Sequence, residues 1–72
     1  MTDKEWKELC KWVKSLKNRN VYVIKNEWIS VGNCFEGNLG FFKDGMIYGE
    51  GVIAENRTAK QMKEIIKNLL EV

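Results

Sequence analysis

Histidine is absent from this 72-residue chain, and cysteine occurs only twice. Without an imidazole, the side chain that most readily moves protons near neutral pH is missing. Neither cysteine has a histidine to act as its base, and Ser15 and Ser30 stand in no nucleophile motif. Cys10 and Cys34 are too far apart in sequence to supply the close-spaced ligands of a zinc site, and two cysteines make no disulfide framework. They are expected to be reduced and mostly buried, with a Cys10–Cys34 bridge left open for an exported protein. No catalytic residue, metal or cofactor is therefore expected, and the chain reads as a non-enzyme.

Long apolar runs are also missing. No stretch approaches the roughly 20 residues of a membrane span, and the first twenty residues mix lysines with glutamates, unlike a signal peptide. There are no repeats, linkers or low-complexity segments. Gly37-Asn38-Leu39-Gly40 lacks the Gly-Lys-Ser/Thr ending of a phosphate-binding loop, and Gly49-Glu50-Gly51 falls inside a strand pattern rather than before a helix. The expectation is a cytoplasmic protein of one domain, residues 1–72, without a membrane partner. With 44% hydrophobic residues and three tryptophans, it has enough for one small core.

What is present begins with two amphipathic segments. Trp6, Leu9, Cys10, Val13 and Leu16 recur at helical spacing within residues 3–17, and Thr2 with Glu5 makes a capping box at the start. Lys4, Lys7, Lys11 and Lys14 share another side, and Trp12 falls at the edge of the apolar stripe. Asn18-Arg19-Asn20 ends this helix. A second helix is expected from Thr58 to Leu70, capped by Thr58 and Gln61. Ala59, Met62, Ile65, Ile66, Leu69 and Leu70 form its apolar face, and Lys60, Lys63 and Lys67 its flank.

Between the helices, all six glycines cut a run of strand-forming and aromatic residues. Val21–Ile24 and Trp28–Val31 read as one hairpin. A three-residue connection, Lys25-Asn26-Glu27, pairs Val23 with Ile29 and turns Val21, Val23, Ile29 and Val31 toward the core. A two-residue connection would place Tyr22 inside, while Trp28 stays outside in both. Asp44-Gly45 reads as a two-residue type I′ turn between Gly40–Lys43 and Met46–Gly49. That register pairs Phe42 with Ile47 and Phe41 with Tyr48. It sends Phe42, Ile47, Ile53 and the glycines Gly40, Gly49 and Gly51 toward the helices, and Leu39, Phe41, Met46 and Tyr48 away from them.

The expected fold is thus α+β: a two-layer sandwich in α-β-β-β-β-α order, its antiparallel four-stranded sheet carrying both helices on one face. The other face would then show aromatics to water, which proteins seldom do over a large area without a use for it. Tyr22, Trp28, Phe41, Met46 and Tyr48, rimmed by Lys43 and Glu50, form the expected partner-binding surface. The occupant would be a different protein or, in a homodimer, a second copy of the chain.

The order helix–strands–helix also resembles double-stranded-RNA-binding domains, with Arg57, Ala59 and Lys60 echoing that family's basic, alanine-containing helix entry. The family's Gly-Pro-x-His loop is missing, and Met62-Lys63-Glu64 stands where its alanine-rich continuation would be. The resemblance implies nucleic-acid contacts through Arg57, Lys60, Lys63 and Lys67. Charge argues the other way. Residues 1–20 carry six bases and three acids, but the strand region carries only Lys25 and Lys43 against Glu27, Glu36, Asp44 and Glu50. An aromatic platform with acidic surroundings repels phosphates, and +2 overall is low for a nucleic-acid binder. The reading favoured by sequence is an adaptor or a stoichiometric inhibitor. One form of it is a phage or other mobile-element protein directed at a bacterial defence enzyme, in keeping with a lysine-, asparagine- and isoleucine-leaning composition.

Overall fold

The computed structural model describes residues 1–33 and 37–70; Cys34 and Glu36 lie outside them. The elements are α1 (Asp3–Ser15), β1 (Val21–Ile24), β2 (Trp28–Asn33), β3 (Gly37–Phe42), β4 (Ile47–Tyr48), β5 (Val52–Ala54) and α2 (Ala59–Leu70). The strands form one antiparallel sheet in the order β1-β2-β3-β4-β5, so each pairs only with its neighbours along the chain. The sheet has one strand more than the four expected. β4 is only two residues long, and Gly49-Glu50-Gly51 is the turn that reverses the chain into β5, not the end of a longer strand.

Both helices start on the expected caps. The Glu5 amide donates to Thr2 Oγ1 at 3.1 Å, and the Thr2 amide donates to Glu5 Oε1 at 2.9 Å. Thr58 and Gln61 repeat the exchange before α2, at 3.1 and 2.9 Å. Each box satisfies amides that the first helical turn leaves without partners. α1 ends at a Leu16 cap, and Lys17 rather than an asparagine takes the left-handed conformation, with φ 51°.

The first hairpin has the expected three-residue connection, with Val23 opposite Ile29 and Val21 opposite Val31. Lys25 and Asn26 have φ of 51° and 57°, and the Glu27 amide donates to the Ile24 carbonyl at 2.9 Å. Positive φ at both central positions matches the twist of the flanking strands.

The second hairpin differs from its sequence-based register by one residue. Phe41 lies opposite Ile47 and Gly40 opposite Tyr48. The connection is three residues, Lys43-Asp44-Gly45. The Gly45 amide closes it onto the Phe42 carbonyl at 3.0 Å, and the Phe42 amide donates to the Met46 carbonyl at 3.0 Å. Asp44 Oδ1 accepts from the Met46 amide at 3.0 Å, and Gly45 has φ 94°. Asp-Gly serves this longer turn as well as a two-residue one, with glycine supplying the positive φ at its third position. Because side chains alternate along a strand, one residue of slip exchanges the two faces. Phe41 is consequently a core residue with no exposed surface, while Gly40 and Phe42 lie on the opposite face. Ile53, expected inside, is 59% exposed.

The core is one cluster. Trp6, Leu9, Cys10 and Val13 of α1 and Met62 and Ile66 of α2 join Val21, Ile29, Val31, Phe41 and Ile47 of the sheet. Pairing places these five sheet residues on one face. Burying side chains such as Phe41, Ile29 and Ile47 contributes about 1.5–3 kcal/mol each. Trp6 also fixes α1 to the first turn, its Nε1–H donating to the Asn26 carbonyl at 2.8 Å. No helix among the described residues is long and apolar enough to cross a membrane.

Candidate functional site

The sheet face opposite the core is built from two cross-strand rows. Tyr22, Ser30, Gly40, Tyr48 and Val52 are successive partners across all five strands, and Ile24, Trp28 and Phe42 form the adjoining row. Directly opposed side chains on one face are the contacts that stabilise a sheet, and here three of them are aromatic rings in contact. Trp28 and Phe42 stack with centroids 5.6 Å apart and planes 6° from parallel. Tyr48 meets Phe42 edge-on, with centroids 5.2 Å apart at 88°. Both arrangements suit the ring quadrupole.

Gly40 makes the stack fit. A Cβ at this position would stand 3.0 Å from the Phe42 ring and 3.2 Å from the Trp28 indole, so the two rings lie against bare backbone. Ser30, its partner in β2, is covered to 1% exposure, and its Oγ accepts from Asn38 Nδ2 at 2.9 Å. The result is a braced aromatic surface with exposed ends: Tyr22 is 47%, Tyr48 39% and Val52 53% exposed.

Of the residues expected on this surface, Tyr22, Trp28 and Tyr48 are brought together. Phe41 is not, because the register turns it into the core. Met46 is half-buried just after the turn. Lys43 is drawn toward α1 by its ion pair with Asp3, and Glu50 is exposed in the β4–β5 turn beside Tyr48. Phe42 and Val52 were missed. The signal that could have found Phe42 was Trp28, outward-facing in either first-hairpin register and the direct cross-strand partner of Phe42 in the β2–β3 pairing.

The basic flank of α2 is less available than its lysine spacing suggests. Lys63 Nζ lies 5.1 Å from the centroid of the Trp12 ring, a cation–π contact between the helices. Lys67 is 3.9 Å from Glu64. Arg57 and Lys60 are exposed, and they border an apolar hollow of about 470 Å³ whose walls include Leu39, Ile53 and Ile65. Among the described residues, no group of three or more acidic, histidine or cysteine side chains is placed to hold a metal ion. Burial raises the Cys10 thiol above its ordinary pKa, with the nearby Lys14 charge opposing it, and so favours the unreactive neutral form.

Comparison with protein-family models, curated proteins and solved structures finds no match to this chain.

Proposed function

We propose that this chain binds a protein partner through the sheet face bearing Tyr22, Trp28, Phe42, Tyr48 and Val52, as an adaptor or a stoichiometric inhibitor. One observation carries the reading: the Trp28–Phe42–Tyr48 array is already locked by ring contacts over Gly40. Aromatic rings give large contact area, and rings held before association lose little further freedom on binding. The half-exposed tyrosines at either end combine an apolar ring with a hydroxyl able to bond across an interface. An inhibitor of a defence enzyme, carried by a mobile element, is one form this function takes.

The test is affinity capture from the native host with the wild type and a Tyr22→Ala/Tyr48→Ala variant, after circular dichroism shows that both are folded. A stoichiometric partner retained by the wild type and lost by the variant supports the proposal. Sedimentation decides whether that partner is a second copy of the chain. An unchanged set of captured proteins and an unchanged oligomeric state would sink it. Salt-dependent DNA or RNA binding that Arg57→Gln and Lys60→Gln weaken would replace it with the nucleic-acid reading.

A further inference from the structure

A second concave surface lies on α1, formed by residues separate from the aromatic face. It is a groove of about 500 Å³ between α1, the first hairpin turn and the second. Four lysines line it, Lys7, Lys11 and Lys14 from the helix and Lys43 from the turn, against the single acid Asp3. Asp3 is paired with Lys43, which leaves its charge neutralised. The groove therefore carries a formal +3. Lys7 and Lys11 stand one helical turn apart, where like charges repel, and neither has an acidic partner among the described residues.

The walls are held in place before any ligand arrives. Asn26 is gripped twice by α1: its carbonyl accepts from Trp6 Nε1 at 2.8 Å, and its Oδ1 accepts from Lys14 Nζ at 3.2 Å. With Oδ1 occupied, the Asn26 amide nitrogen remains as a donor. Trp6 and Cys10 line the inner wall; burial keeps the thiol neutral, so it adds no negative charge.

We propose that this groove binds a compact oligophosphate, either free or carried by a nucleotide. Three features support that chemistry. The lining cations are all lysines, compact point charges that bind phosphate oxygens from any direction without the planar fork geometry of arginine. The Asp3–Lys43 pair and the Lys14–Asn26 bond are both part of its wall, and its volume falls within the roughly 300–1,000 Å³ of small-molecule sites. The hollow also draws its charge from two elements, Lys7, Lys11 and Lys14 from α1 and Lys43 from the second turn, which sets it apart from a helix stripe alone.

Isothermal titration at about 50 mM salt, where screening is modest, tests the proposal with sodium triphosphate and with ATP. The expected result is saturable 1:1 binding. Lys7→Gln/Lys11→Gln should weaken it about tenfold or more, as loss of two charge-assisted contacts implies. Lys7→Arg/Lys11→Arg should largely keep it, and Lys60→Gln on α2 should leave it unchanged. Equal affinity for the two ligands identifies the phosphates alone as the recognised group; tighter ATP binding adds the nucleoside. No saturable binding of either ligand, or an equal loss in Lys60→Gln, overturns the proposal. So does a nucleic-acid duplex that binds more tightly and displaces triphosphate. Tyr22→Ala/Tyr48→Ala should retain triphosphate binding, which keeps this result separate from that for the aromatic face.

Discussion

Trp28 and Phe42 are direct cross-strand partners whose rings stack 5.6 Å apart over the bare backbone of Gly40. Space at residue 40 therefore controls the aromatic surface. Gly40→Val should force the rings apart and cost about 1–3 kcal/mol, the range for overpacking. Urea unfolding measures that loss, and near-ultraviolet circular dichroism should report a changed aromatic signal.

Gly45 should tolerate substitution no better, for a different reason. Its φ of 94° is strained for any side chain, and an added Cβ would stand 3.0 Å from the Arg57 carbonyl oxygen and 3.1 Å from the Arg57 nitrogen. The Arg57 amide also donates to the Gly45 carbonyl at 2.9 Å, so the turn cannot shift freely away. Gly45→Ala is expected to cost about 1–3 kcal/mol, as forced left-handed geometry does. A midpoint within experimental error of the wild type in chemical denaturation would refute this account.

The α1 cap predicts a pH dependence. The hydrogen bond from the Thr2 amide, followed by the one with the Thr2 side chain, holds the Glu5 carboxyl below its ordinary pKa. A depressed carboxylate stabilises the fold above the unfolded value, near 4.3, and that contribution is lost as pH falls through the folded value. Glu5→Gln should flatten the acid limb of stability below about pH 5. Thr2→Ala should cost about 1 kcal/mol at neutral pH, the usual effect of losing a cap. The difference between Thr2→Ala and wild type should narrow on acidification.

Cys10 is 4% exposed, and its burial favours the protonated thiol. In a Cys34→Ser background, its reaction with an aromatic disulfide reagent should be slow in native buffer and fast in denaturant, because only the thiolate attacks. Rapid native reaction would place the thiol nearer solvent than the packing of α1 allows.

Much of the fold was legible because local chemistry and packing agreed. Thr2 with Glu5 and Thr58 with Gln61 marked both helix starts, and Val21, Val23, Ile29 and Val31 identified the inward face of the first hairpin. The second hairpin was not legible to one residue. Asp44-Gly45 fits two turns of different length, and aromatic residues at both 41 and 42 give no contrast between an inner and an outer position. The choice falls to tertiary packing, where Phe41 completes the core and Phe42 completes the stack over Gly40. β5 was hidden by the same cause: Val52 and Ile53 are both exposed, so no inward-outward alternation announces a strand. The candidate site inherited the slip. The sequence reading places Tyr22, Trp28 and Tyr48 on the outer face, where the structure also has them, but it leaves Phe42 off that face and puts the buried Phe41 on it.

The strictly sequential strand order also has a kinetic consequence. Every pairing in the sheet joins neighbours along the chain, so it can grow hairpin by hairpin with small loop-closure cost. Bringing Met62 and Ile66 to the core that includes Trp6 and Val13 closes a much longer stretch of chain. If the hairpins form the nucleus, Gly45→Ala should act mainly by slowing refolding, whereas Ile66→Val should act mainly by speeding unfolding. Stopped-flow chevrons would separate the two, and the reverse pattern would make docking of α2 the earlier event.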